Sequence, residues 1–353
     1  NSDQPNSRWY SGCGIYRHVW LNQTQKSAYI SQWGQYVSTS TNGEVKIKVE
    51  AVSTPKYQVR NTILDAAGKV VAKNQGGEEQ TLKVANPHLW GIGDGYLYTV
   101  KSELLVNGKM VDTETTTTGF RDVKFDAKKG FFLNGVNMKI NGVCEHHDFG
   151  CLGAALNEDA MHRKLSILRD MGVNAIRSSH NPPAPELLNM CDSMGILVMD
   201  ESFDMWRRKK SNGDYARFFD EWHKRDLTDL VKRDRNHPSV IMWSIGNEVL
   251  EQWSDAAADT LSLEQANLIL NAGHDASSLA HGDELSVNSL LTRHLAELLK
   301  EYDPWGCRPV TAGCNEPDPK NHLFKSGAID VIGFNYHHQW VKDVPKNFPG
   351  KPF

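Results

Sequence analysis

The sequence predicts an immunoglobulin-like β-sandwich followed by an incomplete (β/α)8 TIM barrel, with about six barrel strands present. Three observations predict it. Short strand-like runs separated by turn residues fill residues 22–125. From 126 onward, strand-like and helix-like segments alternate, the rhythm of a parallel sheet flanked by helices. Polar residues then gather at one end of nearly every strand of the second half, on the face where a barrel keeps its chemistry.

In the first half, 44–52, 57–65, 80–86, 96–106 and 109–120 read as strands. Ala67-Gly68, Gly76-Gly77, Gly93-Asp94-Gly95 and Asn107-Gly108 punctuate them, and the last pair between two β runs is a type I′ hairpin signal. Without a Cys…Trp…Cys pattern, only the sandwich architecture is implied.

In the second half, 136–144 reads as the first strand. A helix over 157–171 follows, with Met161, Leu165, Leu168 and Met171 on one face, Asn157 as N-cap and Gly172 as stop. The second strand is 173–177, and the next helix opens near Pro185 and closes at Gly195. The third strand is 196–201, and the helix after it, 215–235, turns Phe218, Trp222 and Leu230 inward. Val240, Ile241, Met242, Trp243 and Ile245 form a nearly continuous apolar run, as in a strand buried on both faces, and it stops at Gly246-Asn247-Glu248. Residues 250–286 read as a weakly ordered insertion, 288–302 as a leucine-rich helix, and 308–313 and 329–336 as strands five and six. No G-x-G-x-x-G follows the first strand, so a dinucleotide-binding sheet loses to a barrel.

Composition excludes several classes. The 353 residues are 39% hydrophobic and 23% charged with net charge −4, enough for a sizeable core and without a basic stripe for nucleic acid. No apolar run approaches the ~20 residues that span a bilayer, so no membrane partner is expected. The cysteines (Cys13, Cys144, Cys151, Cys191, Cys307, Cys314) lack C-x-x-C and zinc-type spacings and read as free buried thiols. The chain begins Asn-Ser-Asp, as after removal of a leader or excision of a fragment. The compartment stays open, with a periplasmic or secreted setting favoured over the cytoplasm.

The strand ends deliver Glu145-His146-His147-Asp148, then Arg177 with His180-Asn181, Asp200-Glu201, Asn247-Glu248, and Asn335-Tyr336-His337-His338. Any one of these could be a helix cap or a satisfied core polar group; five in register on one face make a site. The set holds carboxylates, imidazoles and amides, and no nucleophilic Ser or Cys elbow. It suits hydroxyl-rich neutral substrates, because carboxylates and amides grip vicinal hydroxyls and a protonated carboxylic acid can protonate a glycosidic oxygen. Metal binding is the rival use of His146, His147, Asp148 and Glu201. No metal and no cofactor is expected.

At these residues the chain resembles glycoside hydrolase family 2, especially its β-galactosidases. The likeness runs through nearly all of it: residues 5–21 look like the last strand of an N-terminal sugar-binding jelly roll, and 22–125 are similar to the immunoglobulin-like domain. SSHNPP, MDESFD and SIGNEV match the barrel motifs, and HHDFGCLGAALNED favours the β-galactosidase branch. The implied domains are 1–21, a jelly-roll remnant; 22–125, the sandwich; and 126–353, the barrel. The resemblance implies that Glu248 is the general acid/base of retaining hydrolysis of terminal β-galactosides. It implies that Asn247 contacts the sugar 2-hydroxyl, that His147, Asp148, His180 and Asn181 line the sugar subsite, and that Tyr336 orients the nucleophile. Arg177 and Glu201 brace the site by ion pairing. An oligo- or polysaccharide ending in β-galactose would be the substrate, and a homo-oligomer is compatible. A β-glucuronidase or a non-catalytic carbohydrate-binding fragment are the alternatives.

Two departures matter. Where some members hold magnesium with a Glu-x-His, this chain has Ser202-Phe203-Asp204-Met205-Trp206, which argues against that ion. The family's nucleophile is a Glu ending strand seven, and the chain ends at Gly350-Lys351-Pro352-Phe353, before such a strand. The expectation is an open six-stranded sheet with an incomplete site and little hydrolysis on its own. Glu201, Glu145 and Glu316 are the substitutes to consider.

Overall fold

Residues 14–254, 286–306 and 308–353 are described by a computed structural model. Period-two alternation builds the first half. One sheet pairs β1 (Ala28–Thr39), β2 (Glu44–Ser53) and a later strand; the facing sheet starts with β3 (Tyr57–Leu64) and β4 (Val70–Gly76). β5 (Glu79–Lys83) completes the first sheet, and β6 (Tyr98–Val106) and β7 (Lys109–Thr118) complete the second in the order β4-β3-β6-β7. Val45, Ile47 and Val49 meet Val59, Ile63, Val100 and Leu104 in the core between the sheets. The β6–β7 turn has Asn107 at φ 51° and Gly108 at φ 75°, both left-handed, as a type I′ turn requires.

Two sandwich strands carry no clear sequence signal. β1 loses its alternation where the register with β2 slips between Ile30 and Gln35. β4 is an edge strand, mostly exposed, and so has little apolar pattern to read.

β8 (Val123–Asp126), β9 (Gly130–Leu133) and β10 (Val136–Met138) form an antiparallel sheet of their own. The expected first barrel strand over 136–144 is thus two elements: β10 in this small sheet and β11 (Gly142–Glu145) in the barrel. Phe131 and Leu133 pack with Trp90 of the first half and with Ala175, Leu197, Ile241 and Met242, which lie toward the starts of the barrel strands. The small sheet therefore seals the face opposite the polar strand ends.

After β11 come α1 (Glu158–Asp170), β12 (Ala175–Ser178), α2 (Pro185–Met194), β13 (Leu197–Glu201), α3 (Ala216–Asp234), β14 (Val240–Asn247), α4 (Val287–Tyr302) and β15 (Val310–Gly313). β11 to β15 form one parallel sheet in sequence order, part of an α/β barrel. The sixth expected strand, 329–336, runs beside β15 but joins it by a single bridge, Cys314–Phe334, so the sheet has five strands. Asn157 caps α1 by accepting from the Ala160 N–H at 2.8 Å, and α2 opens at Pro185 and ends on left-handed Gly195 (φ 67°).

The inward face of α3 differs from expectation. Phe218 and Trp222 are 44% and 36% exposed, while Phe219, His223, Leu227, Leu230 and Val231 are buried. A histidine inside the stripe hid its true phase. Met171, placed inward by its spacing, lies past the end of α1 and is exposed. Cys144 and Cys151 are exposed rather than buried, whereas Cys191 and Cys314 are buried free thiols. The insertion over 255–285, residues 1–13 of the jelly-roll likeness, and Cys307 lie outside the described residues.

Candidate active site

Strand parity and one bulge bring the polar groups together. Leu197, Met199 and Glu201 alternate with Val198 and Asp200 along β13, so Glu201 shares the interior with Leu197. Glu201 pairs in register with Ser244 of β14. Between Ser244 and Asn247 the β14–β15 register slips: three steps on β14 match two on β15, from Thr311 to Gly313. The extra residue is a β-bulge, and it re-aims Asn247 into the interior that strict alternation would have denied it. Glu248 follows at φ 47°, its N–H donating to the Gly313 carbonyl at 2.6 Å. A left-handed non-glycine here is a local backbone strain held at the candidate site.

A continuous network floors the cup. Glu201 is fully buried; Oε2 accepts from Arg177 Nε and Nη2 at 2.9 and 2.7 Å and from Ser244 Oγ at 2.6 Å, and Oε1 accepts from His180 Nδ1 at 2.7 Å. Burial alone would raise this carboxyl, but Arg177 and His180 outweigh it and hold it below the usual range. Arg177 Nη2 also donates to Asn247 Oδ1 at 2.9 Å, and Nη1 to Asn335 Oδ1 at 3.2 Å. Asn335 Nδ2 donates to Asn247 Oδ1 at 2.9 Å and to Glu248 Oε1 at 2.8 Å. Hydrogen bonds thus run unbroken from His180 to Glu248, and the Glu248 carboxyl shares its cup with an imidazole that follows the second barrel strand.

The other expected residues sit further out. The His146 ring lies edge-on to His180, with ring centres 5.2 Å apart. His147 is held apart from the network: its Nε2–H donates to the Ala154 carbonyl at 3.1 Å, between Tyr16 and Phe149. Burial first, and then nearby Arg17, push this imidazole down to about 4. Asp148 lies in the same loop, its carbonyl accepting from Lys164. Asn181 joins His180 on the rim of a cleft of about 380 Å³ that Trp33, Phe203 and Tyr215 also line. Tyr336 is left-handed (φ 62°) and 82% exposed, outside the network.

Asn335, Ser244, Asp204 and Lys210 join the network without a motif of their own in the sequence. Asp204 Oδ1 accepts from Asn247 Nδ2 at 2.8 Å and from Lys210 Nζ at 3.1 Å, while Lys210 Nζ also reaches the Asn247 carbonyl at 2.5 Å. Lys210 closes the basic run Arg207-Arg208-Lys209-Lys210, and nothing local distinguishes it from its three neighbours. Ser244 was a small polar residue inside an apolar strand, and that interruption was its available signal. Of the substitute carboxylates, Glu145 pairs with Lys164 at 2.5 Å, and Glu316 accepts from the Ser254 N–H and hydroxyl at 2.9 and 2.6 Å.

Comparison with known proteins places the chain in a family. The TIM barrel domain of glycosyl hydrolases family 2 matches residues 123–344, and a second domain of that family matches 28–121. The chain belongs to glycosyl hydrolase family 2. A beta-galactosidase of Bacteroides ovatus is 55% identical over 371 aligned positions, covering all of this chain and 43% of that protein. A beta-glucuronidase of Felis catus is 33% identical over 352 positions, covering 96% of this chain and 47% of that protein. A solved family 2 member from Bacteroides cellulosilyticus superposes with a TM-score of 0.81 at 36% identity, covering 98% of this chain and 42% of that one. This family 2 chain therefore spans less than half the length of the relatives it matches.

Proposed function

We propose that this chain carries the acid/base half of a retaining β-galactosidase site, with Glu248 as the acid/base. The observation that carries the reading is the Glu248 carboxyl, held at the edge of a cup whose two buried carboxylates, Glu201 and Asp204, are paired with Arg177 and Lys210. The sugar assignment draws on the 55% identity to the Bacteroides ovatus beta-galactosidase. In the first step the Glu248 carboxylic acid gives its proton to the departing glycosidic oxygen as a second carboxylate attacks the anomeric carbon. In the second, Glu248 takes a proton from the water that releases the sugar. His180, Asn181 and Asn247 are assigned to the sugar hydroxyls, and Arg177 and Glu201 to bracing.

Glu201 is a poor nucleophile, because both its oxygens are engaged. Glu145 and Glu316 are committed to Lys164 and Ser254. The nucleophile is therefore assigned to a carboxylate outside the described residues, on a further barrel strand, and the 353-residue chain is expected to hydrolyse little alone.

The test is a panel of nitrophenyl glycosides on the complete enzyme. β-Galactoside should be the best substrate. Preference for β-glucuronide would move the assignment toward the other named relatives. With Glu248→Gln, activity on an activated galactoside should be rescued by azide, giving the β-configured galactosyl azide. Unimpaired activity in that variant would remove Glu248 from the chemistry.

A further inference from the structure

Among the described residues, one side chain hydrogen-bonds to the Glu248 carboxyl. Asn335 Nδ2 carries two hydrogens, one directed to Glu248 Oε1 at 2.8 Å and the other to Asn247 Oδ1 at 2.9 Å. Its Oδ1 accepts from Arg177 Nη1 at 3.2 Å. Turning the amide over would set its oxygen against two oxygens and its nitrogen against a guanidinium. The neighbours therefore fix which way it faces.

The backbone holds the pair in register. The Glu248 N–H donates to the Gly313 carbonyl at 2.6 Å, and the Asn335 N–H to the Cys314 carbonyl at 2.7 Å. Acid and amide thus hang from consecutive peptide units at the end of β15. Four charged groups surround them: Arg177 on β12, Glu201 on β13, and Asp204 and Lys210 on the loop that follows. Each is joined to Asn247 or Asn335, directly or through one neighbour.

We propose that Asn335 is the positioning residue of the general acid: its amide occupies Glu248 Oε1, leaving Oε2 as the oxygen that carries and delivers the proton. This rests on the reading of Glu248 as the acid. An N–H aimed at Oε1 favours bare lone pairs there and places the hydroxyl on the other oxygen. It also fixes the carboxyl plane, so the proton points where a leaving oxygen can meet it. Without the amide, the carboxyl turns and the proton is no longer aimed.

The experiment compares two glycosides of the sugar that the complete enzyme cleaves. One has a dinitrophenyl leaving group, which departs with little protonation; the other has an alkyl leaving group, which needs it. Asn335→Ala should lose roughly 10- to 100-fold more kcat/KM on the alkyl than on the dinitrophenyl glycoside, a part of the ~10²–10⁴-fold that general acid catalysis supplies. Asn335→Asp, close in size, places a carboxylate against Oε1 and should move the alkaline limb of the pH profile upward by about one unit. Equal losses on both substrates with an unmoved limb would overturn the proposal, since a structural role predicts just that. Should Asn335→Ala fail to fold, the limb of Asn335→Asp decides alone. Glu248→Gln is the control: if it shows no leaving-group dependence, the acid assignment itself fails, an outcome separable from a silent Asn335.

Discussion

A Cβ on Gly313 would stand 2.5 Å from Arg177 Nη2 and 3.1 Å from Asn335 Oδ1. The end of β15 is a glycine because a guanidinium passes directly over it. That guanidinium is the hub joining Glu201, Asn247 and Asn335, so the smallest residue of the cup decides where its largest charge sits.

Gly313→Ala should therefore act on both stability and chemistry. The methyl group must push Arg177 off its partners, and overpacking of this kind costs about 1–3 kcal/mol. Urea unfolding of the purified chain should show a lower midpoint with an unchanged slope. In the complete enzyme, kcat should fall as well, since Asn247 and Asn335 lose their shared donor. An unchanged midpoint would mean that the guanidinium has a second place to rest.

Glu201→Gln isolates the charge of the same hub. The shape is kept, but Arg177 is left buried without a counter-charge, a change that costs on the order of 3–5 kcal/mol when one partner of a buried pair is removed. The Glu201 carboxyl lies below its unfolded value, so its stabilisation is present above the usual carboxylate range and fades as pH falls through the lower folded value. The variant should lose that acid-side dependence. Parallel pH–stability curves for the two proteins would count against the Arg177–Glu201 pair as a stabilising element.

What could be read from sequence follows from how local each feature is. Asn157, Pro185, Gly195 and the Asn107-Gly108 turn announced themselves because capping and left-handed turns are decided by a few adjacent residues. Asn247 and Glu248 stood out because an apolar strand stopped on them. The bulge that aims Asn247 was invisible, since it depends on how β14 meets β15. Asn335 stands at a strand end, but its task is not local, because its partners Glu248 and Asn247 lie 87 and 88 residues away. Lys210 was hidden by its basic neighbours, although it closes on Asp204 and the Asn247 carbonyl. Phe218 and Trp222 misled in the opposite sense, as aromatic residues on an outward face.

His147 should stay neutral across the working range of a glycosidase. Burial and then Arg17 lower its imidazole to about 4, against an unfolded value of 6.5. Between these values the unfolded chain binds a proton that the folded chain refuses, so stability falls as pH drops from 6.5 toward 4. NMR titration of the ring should give a midpoint near that folded value, and Arg17→Ala should raise it by removing the neighbouring charge. A midpoint at the ordinary histidine value would show the ring to be solvated, not enclosed between Tyr16 and Phe149.

Asp200 makes the opposite case, next to Glu201 on β13. It is fully buried, and the nearby Asp234 carboxylate is tied to Arg233 at 2.6 Å. Burial first, then repulsion from Asp234, push Asp200 well above the usual carboxylate range. A folded value above the unfolded one means that the folded state holds the proton more tightly. Its contribution is full below the unfolded value and is lost as pH rises toward the folded one. Asp200→Asn keeps the shape, removes the titration and gives Asp234 an N–H donor. It should therefore be more stable than the parent at neutral pH, with the gap closing as pH falls toward 4. Denaturant unfolding at several pH values measures this directly. A variant less stable than the parent at neutral pH would mean that Asp200 is charged and doing useful work against the Arg233 guanidinium, which would reverse the reading of that buried pair.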